Sequence, residues 1–122
     1  KAGHVATGVG GVLKNKGGVG ISLSIYDTRI CFVGAHLAAK PKRVKERNAN
    51  AFVILKELAT ILSNGTDLSS CHDHIFFLGD LNYRVTGIPR SRVLKMLELD
   101  LIHQLQEHEQ LRYEKGHGRV LA

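Results

Sequence analysis

Several features that would place a protein in a special class are scarce or missing in this sequence. It has only two cysteines, Cys31 and Cys71, and nothing else argues for secretion, so we expect no disulfide. No apolar stretch approaches the roughly 20 residues that a membrane-spanning helix needs, and no signal-like segment is present. There is no internal repeat, no low-complexity segment and no sign of a second domain. Without a membrane-spanning or signal-like segment, we expect a soluble protein. Because the sequence begins at Lys1 without Met, we also expect it to be a piece of a longer one.

The composition is that of one ordinary globular domain. The chain has 122 residues, 43% of them hydrophobic and 23% charged, which is enough for one small domain with a core. Its net charge of +6 comes from 17 basic and 11 acidic residues. A basic surface suits nucleic acid, phosphoinositide headgroups or an acidic membrane, but simple solubility explains the charge equally well.

The hydrophobic pattern predicts three strands. Ile21, Leu23 and Ile25 alternate with serines, as in a half-buried strand. Residues 29–37 are apolar on both faces, so we expect a strand in the middle of a sheet that is covered on both sides. Residues 74–78 are predicted to be a third buried strand, which ends at Gly79 and Asp80.

The same pattern predicts helices between and after these strands. Residues 41–64 form the predicted long helix, with a stop at Asn64-Gly65. Its buried face is predicted to carry Phe52, Leu55, Leu58, Ala59 and Leu62. Residues 65–73 are predicted as polar loop, and shorter helices are predicted after Pro89 and after a cap at Asp100. The order strand, strand, helix, strand, helix indicates a layered α/β structure.

Two of the predicted core strands end in polar groups of catalytic type. Asp80 and Asn82 follow one strand, and His36 ends the other. In layered α/β proteins sites cluster where strands end, and a carboxylate, an amide and an imidazole can there hold a metal, a phosphate or a proton. A simple Asp-Asn turn and a buried histidine bonded to a carbonyl remain the structural alternatives.

Two basic segments are further candidates for binding anions. Lys14, Asn15 and Lys16 precede two glycines, whose backbone N–H groups can help to hold a phosphate. The spacing is neither a P-loop nor a dinucleotide fingerprint, and a basic surface hairpin is the alternative. Residues 40–48 place several cations at the start of a predicted helix, where the helix dipole favours anions. These cations could bind a lipid or a substrate phosphate. The alternative is a solvated basic face. The run 71–74, Cys-His-Asp-His, fits no zinc spacing.

Four of these stretches occur together in one known family. Residues 15–19, 32–39, 46–48 and 77–84 read Asn-Lys-Gly-Gly-Val, Phe-Val-Gly-Ala-His-Leu-Ala-Ala, Glu-Arg-Asn and Phe-Leu-Gly-Asp-Leu-Asn-Tyr-Arg. In order and spacing the chain resembles the catalytic domain of inositol polyphosphate 5-phosphatases, in the endonuclease–exonuclease–phosphatase superfamily. The resemblance is clear from Gly8 to Arg84. Lys14 and Gly34-Ala35 depart from the residues usual in the family, beside the motifs.

The resemblance implies a fold and an activity. The fold is α/β, part of a four-layer sandwich in which helices flank two central, mostly antiparallel sheets, and residues 1–122 are its central part, incomplete at both ends. The activity is Mg²⁺-dependent hydrolysis of the 5-phosphate of inositol polyphosphates or phosphoinositides, in phosphoinositide signalling and lipid metabolism. The resemblance further implies a cytoplasmic protein that makes peripheral contact with the cytosolic face of membranes and does not bind nucleic acid.

The resemblance also implies residue roles. Asp80 would activate the attacking water, Asn82 would hold water and phosphate, and His36 would hydrogen-bond the phosphate. The implied substrate-binding residues are Lys16 and Arg84, which would support the phosphate-binding surface or its scaffold. Asn15, Arg47, Asn48 and Tyr83 are implied as weaker candidates that support the site from behind. The family's magnesium-binding Glu lies upstream, so no metal ligand is identified here and the piece alone is expected to be inactive. The alternatives are a nuclease or phosphodiesterase of the superfamily, or an incomplete module that binds anionic lipid or protein through residues 40–47.

Overall fold

The structure is a computed structural model that describes residues 1–7 and 15–121. These residues form four strands and five helices, which confirms the predicted α/β class. In chain order they are β1 (Ala2–Ala6), β2 (Gly17–Ile25), β3 (Thr28–His36), α1 (Val44–Ser63), α2 (Leu68–Cys71), β4 (His74–Asp80), α3 (Arg90–Glu98), α4 (Ile102–Gln106) and α5 (Gln110–Gly116). The predicted phosphate-binding Lys14 and the glycines at 8, 10 and 11 lie outside the described residues.

The strands form one mixed sheet in the order β1-β2-β3-β4. The pairs β1–β2 and β2–β3 are antiparallel, and β3–β4 is parallel because α1 and α2 carry the chain back between them. The prediction that the strand around residues 29–37 lies inside the sheet is confirmed. Sequence analysis missed β1, a five-residue strand in which only Val5 is buried.

The core lies between α1 and one face of the sheet. Cys31, Val33 and Ala35 project from β3 into this core. Two glycines of β2 allow α1 to come close to the sheet. A Cβ added to Gly18 would lie 2.5 Å from the Ile54 side chain, and one added to Gly20 would lie 2.9 Å from the Leu58 side chain. A methyl group at either position would force the Ile54 or Leu58 side chain to shift, so the two glycines allow the close packing seen here.

The other face of the sheet is apolar and open among the described residues. Its largest exposed side chains are 40–57% accessible and comprise Val19, Ile21, Phe32, Phe76 and Leu78. The rings of Phe32 and Phe76 stack with their centroids 5.1 Å apart. The expectation that residues 29–37 and 74–78 are covered on both faces is therefore wrong for the residues described. The described ranges contain one of the two sheets of the expected four-layer sandwich.

The end of the long helix α1 was predicted correctly, but its set of buried residues was predicted only in part. Asn64 adopts the left-handed conformation with φ 53°, and its N–H donates to the Ala59 carbonyl, which confirms the predicted stop. The buried positions are Arg47, Ala51, Ile54, Leu58, Ala59 and Leu62. Phe52 is 66% exposed, because the small Ala51 next to it faces the closely approaching sheet instead.

The later helices differ in detail from the prediction. The predicted polar loop 65–73 contains the short helix α2. Asp100 does not cap a helix: it has φ 55°, and α4 is preceded by Leu101. The single predicted helix after Asp100 is divided into α4 and α5, which are separated at Glu109. None of the described helices is long and apolar enough to cross a membrane.

Candidate functional site

The register of the sheet places the predicted catalytic residues side by side. Gly17 of β2 pairs with His36 of β3, and His36 pairs with Asp80 of β4. The side chains of His36 and Asp80 project from the open sheet face, since side chains alternate along a strand. His36 Nε2 lies 3.4 Å from Asp80 Oδ2, and the two side chains are 46% and 65% exposed. An imidazole and a carboxylate far apart in sequence thus meet on an accessible surface.

Lys16, the residue just before β2, completes this cluster. Its Nζ contacts the same Nε2 atom of His36 that faces Asp80. An ammonium can only donate, so this contact requires an unprotonated Nε2, whereas a hydrogen bond to Asp80 requires a proton on Nε2. Asn15, Lys16 and His36 also line a shallow depression of about 400 Å³ beside β1.

Gly79 allows β4 to approach β3 closely just before Asp80. Its φ is +125°, and an added Cβ would lie 2.2 Å from the Ala35 carbonyl oxygen. One residue beyond the paired strands, the Leu37 N–H donates to the Asp80 carbonyl at 3.0 Å. The ends of the two strands are thus fixed to each other where the polar side chains begin.

Asn82 is held in a defined orientation between two partners. It has φ 59°, a left-handed conformation that Asn tolerates better than most residues. Its Nδ2 donates to the Leu37 carbonyl at 3.1 Å. Its Oδ1 accepts from Arg84 Nη2 at 2.7 Å, and Arg84 Nε also donates to the Asn82 carbonyl at 3.2 Å. Each amide atom keeps capacity for one more hydrogen bond, so the oriented side chain can still contact a ligand.

Arg47 lies behind the cluster and not on its surface. The residue is completely buried, and its guanidinium donates to the carbonyls of Ala38 at 3.1 Å and Lys40 at 2.8 Å. It also donates to Pro41 and contacts Gln110. Burial lowers the pKa of Arg47. The guanidinium is therefore occupied by backbone groups of the segment after β3, and the structure does not bring it to the open surface where a substrate would bind.

Asn48 and Tyr83 form a second internal link. The Tyr83 hydroxyl donates to Asn48 Oδ1 at 2.7 Å, and Asn48 Nδ2 donates to Glu114 Oε2 at 2.7 Å. Burial raises the pKa of Tyr83 to about 12. These contacts join α1, the segment after β4 and α5. The role of Asn48 in substrate binding stays a prediction, and no local pattern had singled out Gln110 or Glu114.

The basic segment after β3 is exposed. Lys40, Lys42, Arg43 and Lys45 all face solvent. Arg43 pairs with Glu46, its Nη2 at 2.5 Å from Oε1, and an exposed pair of this kind contributes little to stability. The segment follows the strand that ends at His36, so its charge lies near the cluster.

The described residues do not by themselves form a metal site. Within residues 1–7 and 15–121 no group of three His, Cys, Asp or Glu side chains could hold an ion. Asp80 offers a carboxylate and Asn82 an amide oxygen, which are ligand types that Mg²⁺ accepts.

Comparison with known proteins gives consistent matches over nearly the whole chain. Residues 1–122 match the sequence family described as Endonuclease/Exonuclease/phosphatase family 2. Synaptojanin-1 of Homo sapiens is 37% identical over 116 residues, which are 95% of this chain and 7% of that protein. Type I inositol polyphosphate 5-phosphatase 5 of Arabidopsis thaliana is 40% identical over 129 residues, covering 97% of this chain and 24% of that protein.

A solved structure agrees with the computed fold. It is the inositol polyphosphate 5-phosphatase domain of a synaptojanin in complex with inositol (1,4)-bisphosphate and a calcium ion. The match has a TM-score of 0.81 and 29% sequence identity, and it covers 99% of this chain and 34% of that chain. The present chain thus spans about a third of the solved domain and less of the curated relatives.

Proposed function

Because the chain belongs to the endonuclease/exonuclease/phosphatase family, we propose that it is the central part of an inositol polyphosphate 5-phosphatase catalytic domain. The resemblance drawn from the four sequence motifs and the α/β fold class are confirmed by these matches. The proposed activity is hydrolysis of the 5-phosphate of an inositol polyphosphate or phosphoinositide. Support comes from the relatives named as 5-phosphatases and from the inositol bisphosphate bound to the solved neighbour.

The proposal rests mainly on one observation: the side chains of Lys16 and Asp80 both contact His36, at the ends of three neighbouring strands. The exposed Asp80 carboxylate orients a water molecule for in-line attack on phosphorus and takes up its proton. A P–O bond forms to this water, the bond to the inositol oxygen breaks, and that oxygen leaves as a hydroxyl after it takes a proton from solvent. Phosphoryl transfer depends chiefly on such positioning and on stabilisation of the charged oxygens.

The remaining side chains stabilise the phosphoryl oxygens. Lys16 supplies a positive charge, and His36 donates through Nε2 once a phosphate displaces Lys16 from that atom. The Asn82 amide, held by Leu37 and Arg84, donates its free N–H. Arg47 and Asn48 contribute indirectly, because they hold the segments that carry these groups.

We also propose Mg²⁺ as the cofactor of the complete site, where it would neutralise charge on the phosphoryl group. The solved neighbour contains a calcium ion, and Asp80 is an oxygen donor suited to such a cation. The described residues do not make up a whole metal site, so the roles proposed for Asp80, His36 and Lys16 do not depend on the ion.

The substrate-binding surface is proposed to face a membrane from the cytoplasm. The exposed lysines at 40, 42 and 45 are suited to acidic headgroups, and a phosphoinositide substrate lies in a lipid surface.

Phosphate release tests the proposal. The chain, and the natural protein that contains it, are assayed on phosphatidylinositol 4,5-bisphosphate and on soluble inositol 1,4,5-trisphosphate, with Mg²⁺ and then with a chelator. We expect release by the natural protein with Mg²⁺ only, and a loss of about 100-fold or more in Asp80→Asn. Asp27→Asn, an exposed carboxylate in the β2–β3 turn, is the matched control and should keep full activity. Full activity of Asp80→Asn would disprove the assigned role.

A second candidate is a module that binds anionic lipid without turnover. It is favoured by the exposed basic residues of the segment after β3, at positions 40, 42, 43 and 45. Binding of the folded natural protein to acidic vesicles, with no phosphate released from either substrate, would establish it.

A further inference from the structure

Gln110 begins α5 at a point that is fixed from both sides. The Glu109 carboxylate accepts the N–H groups of Leu111 and Arg112, each at 2.8 Å, and so sets the first turn of the helix. The backbone N–H of Gln110 donates to the Arg84 carbonyl at 3.0 Å. The start of α5 is thereby attached to the segment that follows β4 and carries Asn82.

The Gln110 side chain links this segment to a second one. Its Oε1 accepts from the backbone N–H of Arg84 at 3.1 Å and contacts Arg47 Nη2. Its Nε2 donates to the Pro41 carbonyl at 2.9 Å. Pro41 lies in the segment after β3, the strand that ends at His36. One primary amide therefore joins the two segments that leave the site, and only one of its N–H groups remains free.

The link extends to the polar side chains of the site. Arg84, whose backbone Gln110 holds, donates through its guanidinium to Asn82 Oδ1. Asn82 Nδ2 in turn donates to the Leu37 carbonyl, which lies next to His36. We propose that Gln110 is a positioning residue that sets the orientation of Asn82 and Arg84 relative to His36. Its effect on catalysis rests on the proposed phosphatase function.

The chemistry of the amide predicts how substitutions rank. Glutamate at this position can still accept from Arg47 and from the Arg84 N–H, but it cannot donate to the Pro41 carbonyl. Methionine has a similar length and can do neither. We therefore expect Gln110→Glu to keep more of the function than Gln110→Met. Gln106→Met is the matched control, because Gln106 is an exposed residue whose Oε1 accepts from Arg112 at 2.8 Å, on the side of α4 and α5 and not at the site.

Steady-state kinetics of the natural protein on soluble inositol 1,4,5-trisphosphate test the proposal. Gln110→Met should lower kcat by about 10- to 100-fold, because small displacements of groups that contact the transition state have effects of this size. KM should change much less, and Gln110→Glu should fall between Gln110→Met and the wild type. A drop in kcat that is fully accounted for by unfolded protein, or equal kcat in all variants, would overturn the proposal.

Backbone amide exchange provides a readout that does not need turnover. Gln110→Met should speed exchange at Leu37 and Arg84, while β2 and β3 keep wild-type protection. Unchanged exchange at both amides would overturn the link itself. If the wild type releases no phosphate but exchange changes as expected, the proposed catalytic function fails while the structural link stands.

Discussion

Gly79 tests whether the close approach of β3 and β4 creates the site. An added Cβ would lie 2.2 Å from the Ala35 carbonyl oxygen, whereas real Cβ atoms essentially never come within 3.0 Å. The strands would have to separate there by about 0.8 Å, the difference between these distances. In addition, a φ of +125° is unfavourable for any residue that has a Cβ.

Both effects can be given a magnitude. Backbone strain of this kind costs about 1–3 kcal/mol, and overpacking costs a similar amount. We therefore expect Gly79→Ala to lower the free energy of unfolding by about 2–5 kcal/mol. The displacement separates His36 from Asp80, which should lower kcat for phosphate release by about 10- to 100-fold in the protein that remains folded.

Gly65→Ala separates strain from steric overlap. Gly65 also has a positive φ of +86°, but an added Cβ would meet nothing within 4 Å. It should cost only about 1–2 kcal/mol and leave kcat unchanged. Urea unfolding and phosphate release measure both variants. If Gly79→Ala and Gly65→Ala were equal in stability and in kcat, the reasoning from the close approach of the strands would be refuted.

Three further outcomes follow from the core and from the pKa shifts. Leu58→Ala should lower the free energy of unfolding by about 2–5 kcal/mol in urea titrations, because Leu58 is completely buried beneath the sheet. Burial raises the pKa of Tyr83 to about 12 in the folded protein, whereas the pKa of tyrosine in the unfolded chain is near 10. The neutral Tyr83 hydroxyl therefore stabilises the fold fully below pH 10, and this stabilisation is lost as pH rises through 12. Tyr83→Phe should remove this loss in unfolding curves measured across that range. Iodoacetamide should modify Cys71 before Cys31 in mass spectra of the folded protein, because Cys31 is buried and its thiol pKa is raised by burial.

Much of the fold and the centre of the site followed from local sequence patterns. Strand periodicity located β2, β3 and β4, and Asn64-Gly65 marked the end of α1. The polar residues at the strand ends, together with the family motifs, selected His36 and Asp80. These signals are local because strand alternation, helix stops and strand ends each involve only a few consecutive residues.

Other features depend on contacts between distant residues. A helix buries whichever face meets the closest surface: the glycines of β2 face Ile54 and Leu58, Ala51 is buried with them, and Phe52 stays exposed. The same holds for Arg47, whose type and basic surroundings suggested an anion site. Its partners are backbone carbonyls and Gln110, which is 63 residues away in the chain.

The sequence alone determined which residues are proposed to carry the chemistry: a carboxylate, an imidazole and an amide at the ends of strands, within motifs of a known family. Tertiary structure decided which of them meet. Strand register placed His36 beside Asp80, a side-chain contact added Lys16, and burial separated this cluster from Arg47. The physical reason is that register and burial arise when segments far apart in the chain pack together, and no short stretch of sequence contains that information.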